Sequence, residues 1–158
     1  MDRLAAIRSH LDSEWIPEIY EAKIRTQRTR SIKIEIPAKP NEAEIQYTLL
    51  GIELKVGKRR FAAPDLATAR YMRVFARIGV SEFAIPYDIT RISVVADELE
   101  TAWQKLLLLI GTETTDLSES GRSRFRNAAI RSIRENVVSI GAGAAMPTFD
   151  RETRQRRH

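Results

Sequence analysis

This sequence predicts an α+β domain: an N-terminal helix, a three- to four-stranded largely antiparallel sheet, a helix, a strand, and two C-terminal helices. Three observations predict it. Residues 32–56 alternate apolar and charged side chains with a period of two. Residues 66–78, 92–110 and 125–140 repeat apolar side chains at helical spacing. Proline and glycine punctuate the boundaries between these stretches.

At the N-terminus, Leu4, Ile7, Leu11, Trp15 and Ile19 recur at helical spacing. Pro17 interrupts that stretch, and Ser13 is the expected cap of the second piece. A polar basic connector, residues 25–30, leads into the sheet. Ile32, Ile34 and Ile36 form the first run, and Pro37-Ala38-Lys39-Pro40-Asn41 is a loop. Ile45, Tyr47 and Leu49 form the second run. After a turn at Leu50-Gly51, Ile52, Leu54 and Val56 form the third. Gly57-Lys58 turns the chain into residues 59–62. One apolar and one charged face on each run suits an antiparallel sheet wetted on one side.

Pro64-Asp65 opens a helix with Leu66, Ala69, Met72 and Ala76 on its stripe, widened by Tyr71, Phe75 and Ile78, and Gly79 closes it. Val80–Ile85 is a short strand stopped by Pro86. Asp88 caps a long helix over 89–110, with Gly111 as its end. Ile92, Val95, Leu99, Trp103, Leu106 and Ile110 form its buried face, with Asp97, Glu98 and Glu100 in water. The Leu106–Leu109 run covers most of the circumference, so part of it must meet another helix or a second chain. The last helix spans 119–139, with Phe125, Ala129, Ile133, Val137 and Ile140 inward. Residues 1–143 form the expected single domain, and residues 144–158 a basic, flexible tail.

Composition narrows the function. No cysteine is present, so disulfides, thiolate metal sites and cysteine nucleophiles are excluded. His10 and His158 are the only histidines, which argues against a histidine-based metal centre or a Ser-His-Asp triad. The N-terminal residues carry no signal-peptide pattern and no apolar run is long enough to span a bilayer, so a cytoplasmic protein is expected. Gly141-Ala142-Gly143 follows a helix, not a strand, and lacks the context of a dinucleotide loop.

Arginine is the outstanding residue type: 20, against 6 lysines, in a chain of net charge +5. Residues 25–40 and 55–63 each carry net +4, residues 122–158 net +6, and residues 80–111 net −3. Clustered guanidinia match phosphate and carboxylate geometry. Arg70, Arg73 and Arg77 sit at i, i+3 and i+7 on one helix, and Arg124, Arg131 and Arg134 form a second row. With Arg59 and Arg60 on the basic Lys58–Phe61 β-turn, and with the tail as part of the second patch, these arginines are the expected contacts to a nucleic-acid backbone. The competing reading is a solvated face laced with ion pairs. The leading expectation is therefore a small nucleic-acid-binding or accessory protein without a cofactor.

Glu53-Leu54-Lys55 places a carboxylate and an amine on one face of the third strand, with Glu44 opening its hairpin partner. A helix, three antiparallel strands, a helix and a strand, with Glu-x-Lys on the third strand, resembles the PD-(D/E)xK nuclease fold over about residues 14–87. The resemblance implies that Glu44 and Glu53 hold Mg²⁺ and that Lys55 orients or activates the attacking water. Glu18 or Glu21 would assist. The plainer alternative is a wetted strand face with alternating charges. A third reading is a non-catalytic interaction module, its basic C-terminal segment binding an acidic protein and its Leu106–Leu109 run forming a homodimer.

Overall fold

The computed structural model describes residues 2–142; the segment read as a basic tail, 144–158, lies outside the described residues. The chain is mixed α+β, with two antiparallel sheets and five α-helices among the described residues.

Helix α1 (Arg3–Leu11) begins at Asp2, whose carboxylate accepts the Leu4 N–H at 3.0 Å. A single 3₁₀ turn at Asp12–Glu14 follows, opened by Asp12 at φ +50°. Helix α2 (Ile16–Ile19) then runs into a π turn at Tyr20–Ile24. Pro17 lies in the first turn of α2, where its missing N–H costs nothing. Ser13 does not cap this helix. It falls inside the 3₁₀ turn, and Trp15 takes the N-cap position without a side-chain bond.

The strands are β1 (Thr29–Lys33), β2 (Ala43–Thr48), β3 (Gly51–Val56), β4 (Arg59–Ala63) and β5 (Glu82–Pro86). Strands β2, β3 and β4 form the predicted meander. The first strand does not join it. β1 lies earlier than the Ile32–Ile36 run suggested and pairs antiparallel with β5 in a separate two-stranded sheet. The physical reason is the loop after it. Asn41 Nδ2 donates to the carbonyls of Pro37, Lys39 and Ala76, and the Asn41 N–H donates to Arg77 O. These bonds pin residues 37–41 across the C-terminus of α3 (Leu66–Ile78) and carry the chain from one sheet to the other. Gly79 makes room for the crossing. A Cβ there would stand 2.4 Å from Lys39 O and 2.7 Å from Lys39 N, and its φ of +93° suits glycine alone.

Helix α3 is capped by Asp65, which accepts the Thr68 N–H at 2.8 Å, and it lies against β2 and β3. Ala43, Leu54, Val56 and Ala63 are buried on that side, while Glu44, Lys55 and Arg60 stand on the other. Helix α4 (Ile89–Glu113) starts at the Asp88 cap, as predicted, but runs past Gly111 to Glu113. Thr114 closes it through Ile110 O, accepting from both the Thr114 N–H and its hydroxyl. A mid-helix glycine costs only about 1 kcal/mol against alanine, which this closure offsets. Helix α5 (Glu119–Ile140) is capped by Ser118.

Strand β5 is the spine of the core. Phe83, Ala84, Ile85 and Pro86 are all buried. Its edge away from β1 is closed by two tyrosines: Tyr20 Oη accepts the Ala84 N–H at 2.9 Å, and Tyr71 Oη donates to Ala84 O. Tyr20 in turn donates to Gly141 O at 2.9 Å, tying the end of α5 to the N-terminal region. Burial pushes both phenols above their ordinary pKa, which keeps them protonated as donors. Phe75 stacks on Phe83 with centroids 4.4 Å apart, and Tyr71 tilts against Phe75. Each fully buried ring of this cluster contributes about 2–3 kcal/mol by burial.

Candidate functional site

The two halves of the α3 arginine row meet different fates. Arg70 donates to Asp97 and, through Nε at 3.0 Å and a terminal nitrogen at 2.6 Å, to Glu100. Arg73 donates to the other oxygen of Glu100 at 2.6 Å. Arg70, Arg73 and Glu100 are no more than a quarter exposed, whereas Asp97 is mostly in solvent. On the side of α4 read from the sequence as facing water, Asp97 does stay largely exposed, but Glu100 is partly buried against the arginines of α3. Glu98 also pairs with Lys23 at 2.8 Å. Burial alone would raise the pKa of Glu100, but the hydrogen bonds from Arg70 and Arg73 outweigh it and the pKa falls. Among the described residues Arg77, one turn further on, reaches only Ala43 O, at 3.4 Å.

On α5 the predicted row also divides. Arg134 turns inward and donates through Nε to Ile78 O at 2.9 Å, where burial lowers its pKa. Arg124 and Arg131 are exposed. Arg122 caps the preceding loop by donating to Thr114 O at 3.1 Å.

Glu44, Glu53 and Lys55 do share one face of the three-stranded sheet. Glu44 stands directly opposite Lys55 on β2 and β3, and Glu53 lies two residues from Lys55. Arg60, opposite Lys55 on β4, approaches Glu53 Oε1 at 3.6 Å. The face is open, since α3 covers the other side. Among the described residues no group of three or more acidic or histidine side chains is placed to hold a metal ion.

A set of exposed cations gathers at the C-terminal end of α3. Lys33 and Arg59 line one shallow cavity of about 390 Å³ together with Pro37 and Ser81. The backbone of Lys39 crosses Gly79 beside Arg134 Nε. Lys58 sits on the turn next to Arg59. Lys33, Lys39, Lys58 and Arg59 are all exposed, as is Arg131, three residues before Arg134 on α5. The carboxylates beside them are Glu35, which meets Arg59 at 3.4 Å, and Glu82, opposite Lys33. Sequence reasoning singled out Arg59 and Arg131 but not Lys33 and Lys39. The net +4 of residues 25–40 was the available signal.

The leucine run is mostly absorbed within the chain. Leu106 is fully buried, Leu107 and Leu109 pack partly against the core, and Leu108 is 72% exposed. Helix α1 supplies a neighbour, with His10 and Leu11 beside Leu108 and Leu109. Trp15 and Trp103 are core residues, as their stripes predicted. Among the described residues no helix is long and apolar enough to cross a membrane.

No protein-family model, no curated protein and no solved structure matches this chain.

Proposed function

We propose that this protein is a nucleic-acid-binding accessory module that grips the phosphate backbone with the basic end around the C-terminus of α3. One observation carries the reading: Lys33, Lys39, Lys58 and Arg59 come from separate stretches of chain and converge on that end with few carboxylates among them. Arg131 extends the patch along α5. Arg60 borders it but is partly neutralised by Glu53. Arg70 and Arg73 lie outside the interface because Asp97 and Glu100 already hold them. Arg124 stands on the outer surface of α5 and contributes at longer range.

Four or five neutralised phosphates give a log–log salt slope of about −4 on duplex DNA. The test is fluorescence anisotropy with labelled duplex DNA, single-stranded DNA and RNA at two salt concentrations. The variant Lys58→Glu with Arg59→Glu is expected to weaken binding uniformly across sequences and flatten the slope by about 2. Absence of binding at low salt ends this reading. A polyglutamate competitor that binds more tightly than any oligonucleotide moves the partner to an acidic protein.

A second reading, the Mg²⁺-dependent nuclease, draws on the shared face and cross-strand register of Glu44, Glu53 and Lys55. The donor set is a poor fit to a resident Mg²⁺. Such an ion is held by one or two carboxylates plus waters, but the Arg60 guanidinium stands 3.6 Å from the buried Glu53 Oε1, which makes no hydrogen bond among the described residues, and its positive charge opposes a cation there. Plasmid and single-stranded DNA incubated with Mg²⁺ or Mn²⁺ decide it: cleavage lost in both Glu53→Ala and Lys55→Ala supports it, and inert protein removes it.

A further inference from the structure

Helices α3 and α4 are joined by a ladder with a fixed step. Arg70 meets Asp97 and Arg73 meets Glu100, each pair 27 residues apart. The same step from Arg77 leads to Gln104, and both residues line one cleft. A carboxylate at position 104 would complete the third rung. The neutral amide leaves three arginines against two acids, with Arg77 as the surplus cation.

The cleft around that surplus has a volume of about 410 Å³. Arg77 enters it from α3, Arg126 from α5, and Trp103 and Leu107 give it an apolar wall from α4. Arg77 is half-buried, and among the described residues its side chain makes one long hydrogen bond, to Ala43 O. No ion pair joins Arg77 or Arg126 to a carboxylate among the described residues. Burial, and then the nearby charge of Arg73, pushes the Arg77 pKa down, with Glu100 only partly offsetting them. A half-desolvated guanidinium in that state gains strongly from an anion.

We propose that the third rung is closed from solution: the cleft binds a small organic monocarboxylate, its oxygens on Arg77 and Arg126 and its apolar body against Trp103 and Leu107. Glu42 and Glu44 line the β2 side of the same cleft. Their charges disfavour dianions and polyanions, so the occupant is not the nucleic-acid backbone. The site is also separate from the basic end: none of Lys33, Lys39, Lys58 and Arg59 lines it.

Isothermal titration of the full chain at low ionic strength with benzoate, acetate and inorganic phosphate tests the assignment. Benzoate is expected to bind saturably and more tightly than acetate, and both more tightly than phosphate. Arg77→Gln is expected to weaken benzoate about tenfold or more, the loss that follows removal of a charge-assisted hydrogen bond. Gln104→Glu supplies the missing carboxylate internally. It is expected to weaken benzoate at least as much while raising the melting temperature, a combination that mere damage to the cleft does not produce. Arg126→Gln serves if either variant fails to fold by circular dichroism. The Lys58→Glu, Arg59→Glu protein is expected to keep benzoate affinity, so loss of polyanion binding and loss of this site are told apart. The proposal is overturned if no probe gives a saturable heat, or if benzoate binds the wild type, Arg77→Gln and Gln104→Glu equally.

Discussion

Glu100→Gln is the perturbation that reads the α3–α4 ladder most directly. The side chain keeps its size, so packing survives, but the charge that holds two guanidinia is gone. Glu100 accepts two bonds from Arg70 and one from Arg73, and it is about one-fifth exposed. Exposed pairs contribute at most about 1 kcal/mol, and breaking a fully buried pair costs about 3–5 kcal/mol. Partial burial, and the bond that Arg70 retains to Asp97, place the expected loss at about 2 kcal/mol. For a chain of this size that corresponds to a fall in Tm of about 4–8 °C. The pH dependence carries a sign. The Glu100 pKa is lower in the folded protein than in the unfolded chain. Its stabilisation is therefore fully present above the unfolded value, about 4.3, and is lost as pH falls through the folded value. Urea denaturation of both proteins from pH 7 down to pH 3 should show a constant gap near neutrality that closes in acid. A gap below about 0.5 kcal/mol at pH 7, or one that persists unchanged at pH 3, would falsify the ladder as a source of stability.

Three other changes test the scaffold. Gly79→Ala forces a Cβ into the Lys39 backbone at a left-handed φ and should cost at least about 3 kcal/mol in urea denaturation. Asn41→Ala removes the clamp on the same loop and should cost about 1–3 kcal/mol, with the double variant less than additive because both act on one crossing. Tyr20→Phe strands the buried Ala84 N–H and should cost about 1–3 kcal/mol, with hydrogen exchange at that amide accelerating beyond the global change; unchanged exchange there would show that Tyr20 is not its acceptor.

Much of the local structure was legible because it depends on residues close in sequence. The stripe of α3, its Asp65 cap and its Gly79 terminus follow from spacing and cap chemistry alone, and so do the Asp88 cap of α4 and the β2–β4 meander. Alternation also placed Glu44 opposite Lys55 correctly, since a tight hairpin fixes register locally. What the sequence could not fix was choice of partner. Period-two alternation marks β1 as a strand but carries no signal for β5, which Asn41 and Gly79 select by redirecting the loop. The arginine rows show the same limit. Arg70, Arg73 and Arg77 look identical as i, i+3 and i+7 positions, yet two of them are neutralised by a helix 27 residues away and one is left in a cleft. Lys33, Lys39, Lys58 and Arg59 come near one another only because the β1–β2 connection and the β3–β4 turn both lie beside the C-terminus of α3. Sequence alone determined which residues are charged and which segments fold. Only the tertiary structure decided which charges are spent on each other and which stay exposed, because that depends on distances between segments that no local pattern encodes.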